Sequence, residues 1–506
     1  MAPLDMENAV STRSMRRVAT VLVFVLAPYA TADAQGTKLA SFVPNLLLQT
    51  VTIAPSSTTV NHTAHFNVLN DPNRTIGIGA IASALNFNRG LVSQLTTFPL
   101  GSSTGGFTFN FDEGLGTYER ASSSFGPAFA ERALTIGRKR LSVGFNYQHS
   151  SFSSLEGHDL NDGSLTFFLP HTDCCPAGGD GSLLTAPFEG DLVEETLALD
   201  ASSDTFAAFA NYGVTDRWDI GVAVPIVRVT LDATVRARVV RTSTAINLDV
   251  HAFPEGPDFV QETTSSAGAT GLGDILIRSK FNFLRTADAG FAAAVDLRLP
   301  TGDEADLLGT GTTQAKVFLI ASTGDDRFAQ HFNIGYTFSG AGSVDALFPP
   351  ALPSDASAAR PDSILGDQQR TAELFKQTAG QDDADFIQNE INYVAGVEFV
   401  ATPRVTLLGD VVGRTLLDAP RLEQITNVFA FNVCGPGCSV APGGPRTVEL
   451  QEFEGQVGNL NLLLGTVGAK VNVGGNTLLT GNLLFPLSDG GLKSGVSVAV
   501  GLDYAF

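Results

Sequence analysis

The chain has 506 residues, 43% of them hydrophobic and 16% charged, with 52 Gly, 35 Phe and a net charge of −21. Charge content below the usual ~25%, with abundant Gly and Phe, excludes a disordered chain and a coiled coil. The acidity excludes a nucleic-acid partner, which needs a basic stripe to displace counterions, and no run of ~20 apolar residues is present to cross a bilayer as a helix.

At the N-terminus, Arg13, Arg16 and Arg17 precede an apolar run from Val18 to Ala27, and Ala32-Asp33-Ala34 fits a small-x-small cleavage site. The run is too short for a membrane anchor, so residues 1–34 read as an export signal cleaved near Ala34. Residues 35–138 lack regular alternation of long strands and read as an N-terminal segment, either periplasmic or plugging a lumen. Two patterns in this stretch suggest chemistry only by letter. Gly101-Ser102-Ser103-Thr104-Gly105 lacks the strand and helix of a nucleophile elbow, and His62-Thr63-Ala64-His65 has no third ligand. No catalytic residue, metal or cofactor is assigned, and the protein is not expected to be an enzyme.

From Leu141 onward the chain alternates. Leu141, Val143, Phe145 and Tyr147 oppose Ser142, Gly144, Asn146 and Gln148; Ile275, Ile277, Phe281 and Phe283 oppose Asp274, Arg278, Lys280 and Asn282. Phe332, Ile334, Tyr336 and Phe338 oppose His331, Asn333, Gly335 and Thr337. Period two means a strand with one greasy and one polar face. Strands are placed near 139–152, 192–214, 217–241, 271–285, 290–300, 313–323, 328–340, 386–400, 404–417, 459–473, 477–487 and 492–506. Connections alternate between tight turns and the long stretches 153–191, 242–270, 301–312, 341–385 and 418–458, with a short exception at 488–491. Short turns on one side and long loops on the other is the outer-membrane arrangement. The expected fold is all-β: a transmembrane antiparallel β-barrel over 139–506, of twelve strands. Fourteen remain open if Phe107–Phe111 or Leu165–Leu169 joins the wall.

The proposed outer loops hold 28 acidic residues against five basic ones. An acidic external face follows, which divalent cations would bridge to lipopolysaccharide phosphates. Outer-membrane lipid, lipopolysaccharide and the barrel-assembly machinery are the expected partners. All four cysteines fall on outer loops, as Cys174-Cys175 and Cys434-x-x-x-Cys438. Export to an oxidising compartment favours disulfides. A Cys434–Cys438 clip comes first, with a vicinal bond or a tie between the loops left open.

A barrel lumen accepts charges that lipid rejects, so inward charges are the candidate selectivity residues. Asp274, Arg278, Lys280, Asp296 and Arg298 should form one patch on neighbouring strands. Arg228, Asp232, Arg236 and Arg238 share a face, on the expectation that Pro225 shifts the phase, and Asp410 and Arg414 share another. Mutual pairing that merely stiffens the interior is the alternative role. In the last strand Val496, Val498, Val500, Leu502, Tyr504 and Phe506 share one face, and the Tyr504/Phe506 ending resembles the assembly signal of outer-membrane barrels.

Several motifs occur in order: Tyr212-Gly213-Val214-Thr215-Asp216-Arg217, Gly221-Val222-Ala223-Val224-Pro225, Thr270-Gly271-Leu272-Gly273-Asp274, Leu299-Pro300-Thr301-Gly302-Asp303, Gly309-Thr310-Gly311-Thr312-Thr313 and Asn333-Ile334-Gly335-Tyr336-Thr337-Phe338. Together they resemble the outer-membrane transporters named for the meta-pathway of phenol degradation, similar in style to fatty-acid and aromatic-hydrocarbon channels. The resemblance implies passive uptake of small hydrophobic or aromatic compounds. A general diffusion porin, a barrel-embedded hydrolase and a structural or adhesive barrel are the competing readings.

Overall fold

The computed structural model describes residues 38–50, 87, 89–96, 106–170, 192–240, 260–286, 289–340, 387–431 and 446–506. The export signal, His62, His65 and all four cysteines lie outside the described residues, and so does the expected Cys434–Cys438 clip.

The strands in chain order are β1 (Phe109–Asp112), β2 (Thr117–Arg120), β3 (Leu141–Leu155), β4 (His158–Asp159), β5 (Leu165–Pro170) and β6 (Leu192–Thr215). Then come β7 (Trp218–Val240), β8 (Val260–Leu272), β9 (Ile275–Arg285), β10 (Ala289–Leu299), β11 (Gln314–Gly324) and β12 (Phe328–Ser339). The last six are β13 (Glu390–Thr402), β14 (Val405–Phe431), β15 (Arg446–Gly474), β16 (Thr477–Pro486), β17 (Leu492–Ser494) and β18 (Ser497–Ala505). Twelve of these, β3, β6, β7, β9 to β16 and β18, form an antiparallel ring, each hydrogen-bonded to the next. The ring closes where β3 pairs β18 on one side (Phe145 opposite Leu502) and β6 on the other (Phe145 opposite Ala208). Closure is what lipid demands, since an open edge would leave backbone amides without partners.

The twelve-strand expectation holds, and the fourteen-strand variant does not. Phe109–Asp112 pairs only with β2 in a separate two-stranded sheet, and Leu165–Pro170 lies on β6 beside the ring rather than in it. Two further stretches read as loops are partly strand. Val260–Leu272 pairs β7, and the β14–β15 hairpin runs to Phe431 and resumes at Arg446. A tilted strand needs only ~9–11 residues to cross the hydrocarbon, whereas β14 has 27 and β15 has 29. These hairpins therefore rise well beyond the bilayer.

The outer face of the ring is a greasy band: Phe281 is 50% exposed, Leu319 57%, Phe332 51% and Ile334 60%, while the intervening His331 and Asn333 are buried. In β18 the face carrying Val498, Val500, Leu502 and Tyr504 is exposed, and Ser497, Ala499 and Asp503 are buried. An apolar exterior around a polar interior is the inverse of a soluble fold and defines an outer-membrane barrel.

The same strands change character along their length. In the lower part of β7, Trp218, Ile220 and Val222 face outward and Asp219 inward. Above Ile226 the apolar residues take the inward positions: Val229, Leu231, Ala233 and Val235 are buried, and Arg228, Asp232, Arg236 and Arg238 are exposed. The β6–β7 ladder runs without a register shift through Pro225, which lies opposite Ala207. The backbone thus keeps its phase, and the sequence pattern is what shifts. Pro225, lacking an N–H, sits where β7 changes partner: Ala223 is the last residue paired with β9 and Ile226 the first paired with β8.

Above this change the inward apolar residues enclose a hydrophobic core. The helix Phe42–Thr50 and helical residues 89–96 supply Phe42, Val43, Leu46, Leu91, Val92 and Leu95, which pack with Leu197, Leu199, Val229, Leu231, Leu422 and Phe453. Lys38 fastens this element to the loop after β10, donating to Asp306 at 2.7 Å and Asp303 at 3.0 Å. Those bonds raise its pKa above the ordinary lysine value.

Candidate functional site in the lumen

Below the apolar core the lumen is lined by polar side chains, and a non-strand segment, residues 121–138, passes through it. A segment with no ladder of its own needs partners for its backbone groups, and wall side chains provide them. Asp410 accepts from the amides of Ala128, Phe129 and Ala130 at 3.2, 3.2 and 3.4 Å. Asn333 accepts from Glu131 N at 2.7 Å and returns a bond to the Glu131 carbonyl at 2.9 Å. Lys280 donates to the Arg132 and Leu134 carbonyls, and Lys470 to those of Phe125 and Pro127. Asn282 donates to the Ala133 carbonyl at 2.8 Å. Gly396 leaves room for the segment: a Cβ there would stand 2.8 Å from that of Ala130 and 2.3 Å from Asp410 Oδ1.

Higher in the lumen, a cavity of about 150 Å³ is bounded by Phe129 and Phe318 together with Arg278, Arg298, Lys316 and Arg414. Arg278 and Asp296 stand directly opposite in the β9–β10 register. The arginine donates to both carboxylate oxygens, at 2.5 and 2.6 Å, and also pairs with Glu131 of the crossing segment. Arg414 makes a forked pair with Glu390, at 3.1 Å from Nε and 2.5 Å from Nη2. Arg298 donates to the Thr96 carbonyl at 3.1 Å.

The sequence-derived candidates therefore divide. Arg278, Asp296 and Arg298 do share one patch. Lys280 lies lower, spent on carbonyls, and Asp274 is drawn away, accepting from Gly302 N and from Thr310 N and Oγ1 to hold the loop after β10. Asp410 and Arg414 share a strand face but serve different partners. Arg228, Asp232, Arg236 and Arg238 are not luminal at all, because they occupy the same outward positions of β7 as Trp218, Ile220 and Val222. Tyr504 and Phe506 lie on the exposed face, their rings 4.7 Å apart edge to face.

Glu131, Lys316, Glu390, Asn392 and Lys470 were not singled out by sequence reasoning. Each strand residue among them occupies an inward position of an alternating strand, so parity was an available signal. Glu131 had none, because nothing local marks a crossing segment. A further buried chain runs from Ser322 Oγ to His331 Nδ1 at 2.9 Å and from His331 Nε2 to Glu398 at 2.5 Å, with Ser322 Oγ also accepting from Ala133 N at 2.8 Å.

No curated protein sequence matches the chain. Among solved structures it is similar to an outer-membrane channel from Pseudomonas putida F1, with a TM-score of 0.36 and 11% identity over 74% of this chain and 98% of that one. It is also similar to the toluene transporter TbuX of Ralstonia pickettii, with a TM-score of 0.29 and 13% identity over 73% of this chain and 90% of that one. Residues 178–353 match the family model for the "MetA-pathway of phenol degradation", so over that stretch the resemblance carried by the ordered motifs is borne out, and this is the family to which the outer-membrane barrel is similar.

Proposed function

We propose that the protein is an outer-membrane channel for passive passage of small hydrophobic or aromatic compounds, with residues 121–138 closing the lumen. One observation carries this reading. Between Phe125 and Ala133 the segment is tied to the wall through side chains such as Asp410, Asn333 and Lys470, not through a strand ladder. Each such bond contributes ~0.5–1.5 kcal/mol net, or ~1.5–3 where a charge takes part, and the ring of strands closes without any of them, so the barrel stays intact when the segment moves. Above it, the route from outside passes an apolar core that suits greasy solutes. β8 adds a second path for them: among the described residues it pairs only β7, leaving one edge free above the hydrocarbon.

Planar-bilayer recordings test the proposal. Asp410→Ala removes the acceptor of three amides and should raise single-channel conductance and speed liposome swelling by aromatic solutes. Unchanged conductance removes residues 121–138 from the closing role, and a barrel silent in both forms overturns the channel.

A hydrolytic reading has one observation of its own, the Ser322–His331–Glu398 chain. Its serine oxygen is already engaged by Ala133 N–H, which favours a fastening role. Fluorophosphonate labelling that disappears in Ser322→Ala would reverse that judgement.

A further inference from the structure

We infer that the lumen cavity is a binding site for an aromatic carboxylate, with Arg298 and Lys316 as its anion-recognising pair. The inference rests on the channel reading and specifies the solute class at its mid-lumen site. Four cations and three carboxylates line the cavity. All three carboxylates are committed: Asp296 and Glu131 to Arg278, and Glu390 to Arg414. Arg298 and Lys316 have no ion pair among the described residues. In a chain with a net charge of −21, a cavity with one cation more than its carboxylates, and two cations outside the ion pairs, calls for a ligand of opposite sign.

Their placement suits one carboxylate. Lys316 lies opposite Asp296 and Arg298 opposite Gln314 on adjacent strands, so the two cations are diagonal neighbours on the inward face. Such residues sit ~7–8 Å apart along the sheet, within reach of long side chains converging on one group. An arginine fork and a lysine point charge are complementary donors to a planar carboxylate.

The remainder of the cavity suits a ring. Phe318 is flanked by Lys316 Nζ at 4.8 Å and Arg278 Cζ at 5.3 Å from its centroid, and Phe129 and Leu276 supply further apolar surface. A cavity of about 150 Å³ is the size at which an apolar protein interior admits benzene. A neutral hydrocarbon would use the ring surface and leave both cations unanswered. A carboxylate uses both.

Isothermal titration of the full-length barrel in detergent with benzoate, benzyl alcohol and inorganic phosphate tests this. Benzoate should bind roughly ten-fold or more tightly than either comparator, because charge-assisted hydrogen bonds are about twice as strong as neutral ones. Arg298→Gln and Lys316→Gln, singly and together, should each reduce benzoate affinity and leave benzyl alcohol unaffected, while Lys316→Arg retains binding. Equal affinity for benzoate and benzyl alcohol overturns the anion pair, and equal affinity for phosphate overturns the aromatic component. Bilayer recordings of the same preparation keep the two ideas apart. Silence of both the wild type and Asp410→Ala, with benzoate bound, defeats the channel and leaves the site standing, and conductance in either form without benzoate binding does the reverse.

Discussion

The lower and upper halves of this barrel are built from the same strands under opposite rules. Below Ile226 on β7 the outside is Trp218, Ile220 and Val222 and the inside is Asp219; above it the outside is Arg228, Asp232 and Arg236 and the inside is Val229, Leu231 and Val235. No register break separates them. Solvent alone explains the inversion: lipid outside rewards apolar surface, water outside rewards charge, and the interior takes what remains. The halves also fill differently. Helices with apolar faces pack the upper half, and a hydrogen-bonded segment crosses the lower half with polar side chains as its partners.

Four variants sharpen or break this comparison. Arg278→Ala should have the largest effect, about 3–5 kcal/mol, because it leaves Asp296 and Glu131 buried without their shared cation. Urea unfolding from vesicles reads it, and a loss below ~1 kcal/mol would show that water solvates the pair. Leu231→Ala in the upper core should cost about 2–5 kcal/mol by cavity formation, with protease resistance of the upper hairpins falling alongside. If the upper half were lipid-facing like the lower, that cost would be far smaller. Phe332→Arg on the lower outer face should cost about 2–4 kcal/mol if it lies near the bilayer midplane, seen as lower folding yield into vesicles. Arg236→Ala together with Arg238→Ala should stay within about 0.5 kcal/mol each and leave the reversal potential unmoved, since neither faces the lumen. A shift in ion selectivity from that pair would return them to the pore.

Much of the wall was legible. Period-two alternation placed all twelve ring strands, because a strand between two different media must segregate its faces residue by residue. Beyond the bilayer the same inference failed in two ways. Val260–Leu272 is Ser/Thr/Gly-rich and shows no greasy face, since its outward side meets water, so it read as loop. The charges after Pro225 read as luminal because alternation gives parity without saying which parity faces in. Asp410 and Lys280 were correctly placed inside, yet their tasks were hidden, since their partners lie about 150 to about 280 residues away along the chain, in a segment with no periodic signal.

The sequence by itself determined a closed sheet with a greasy exterior, the twelve segments that cross it and the alternation of tight turns with long connections. Each follows from a local pattern imposed by lipid and by the two-residue repeat. Only the tertiary structure decided which carboxylate answers which cation, where the outer wall passes from lipid to water, and that Arg298 and Lys316 are left over beside an aromatic cavity. Those outcomes depend on strand register and on a segment threaded through the lumen, and such long-range juxtapositions leave no trace in the spacing of neighbouring residues.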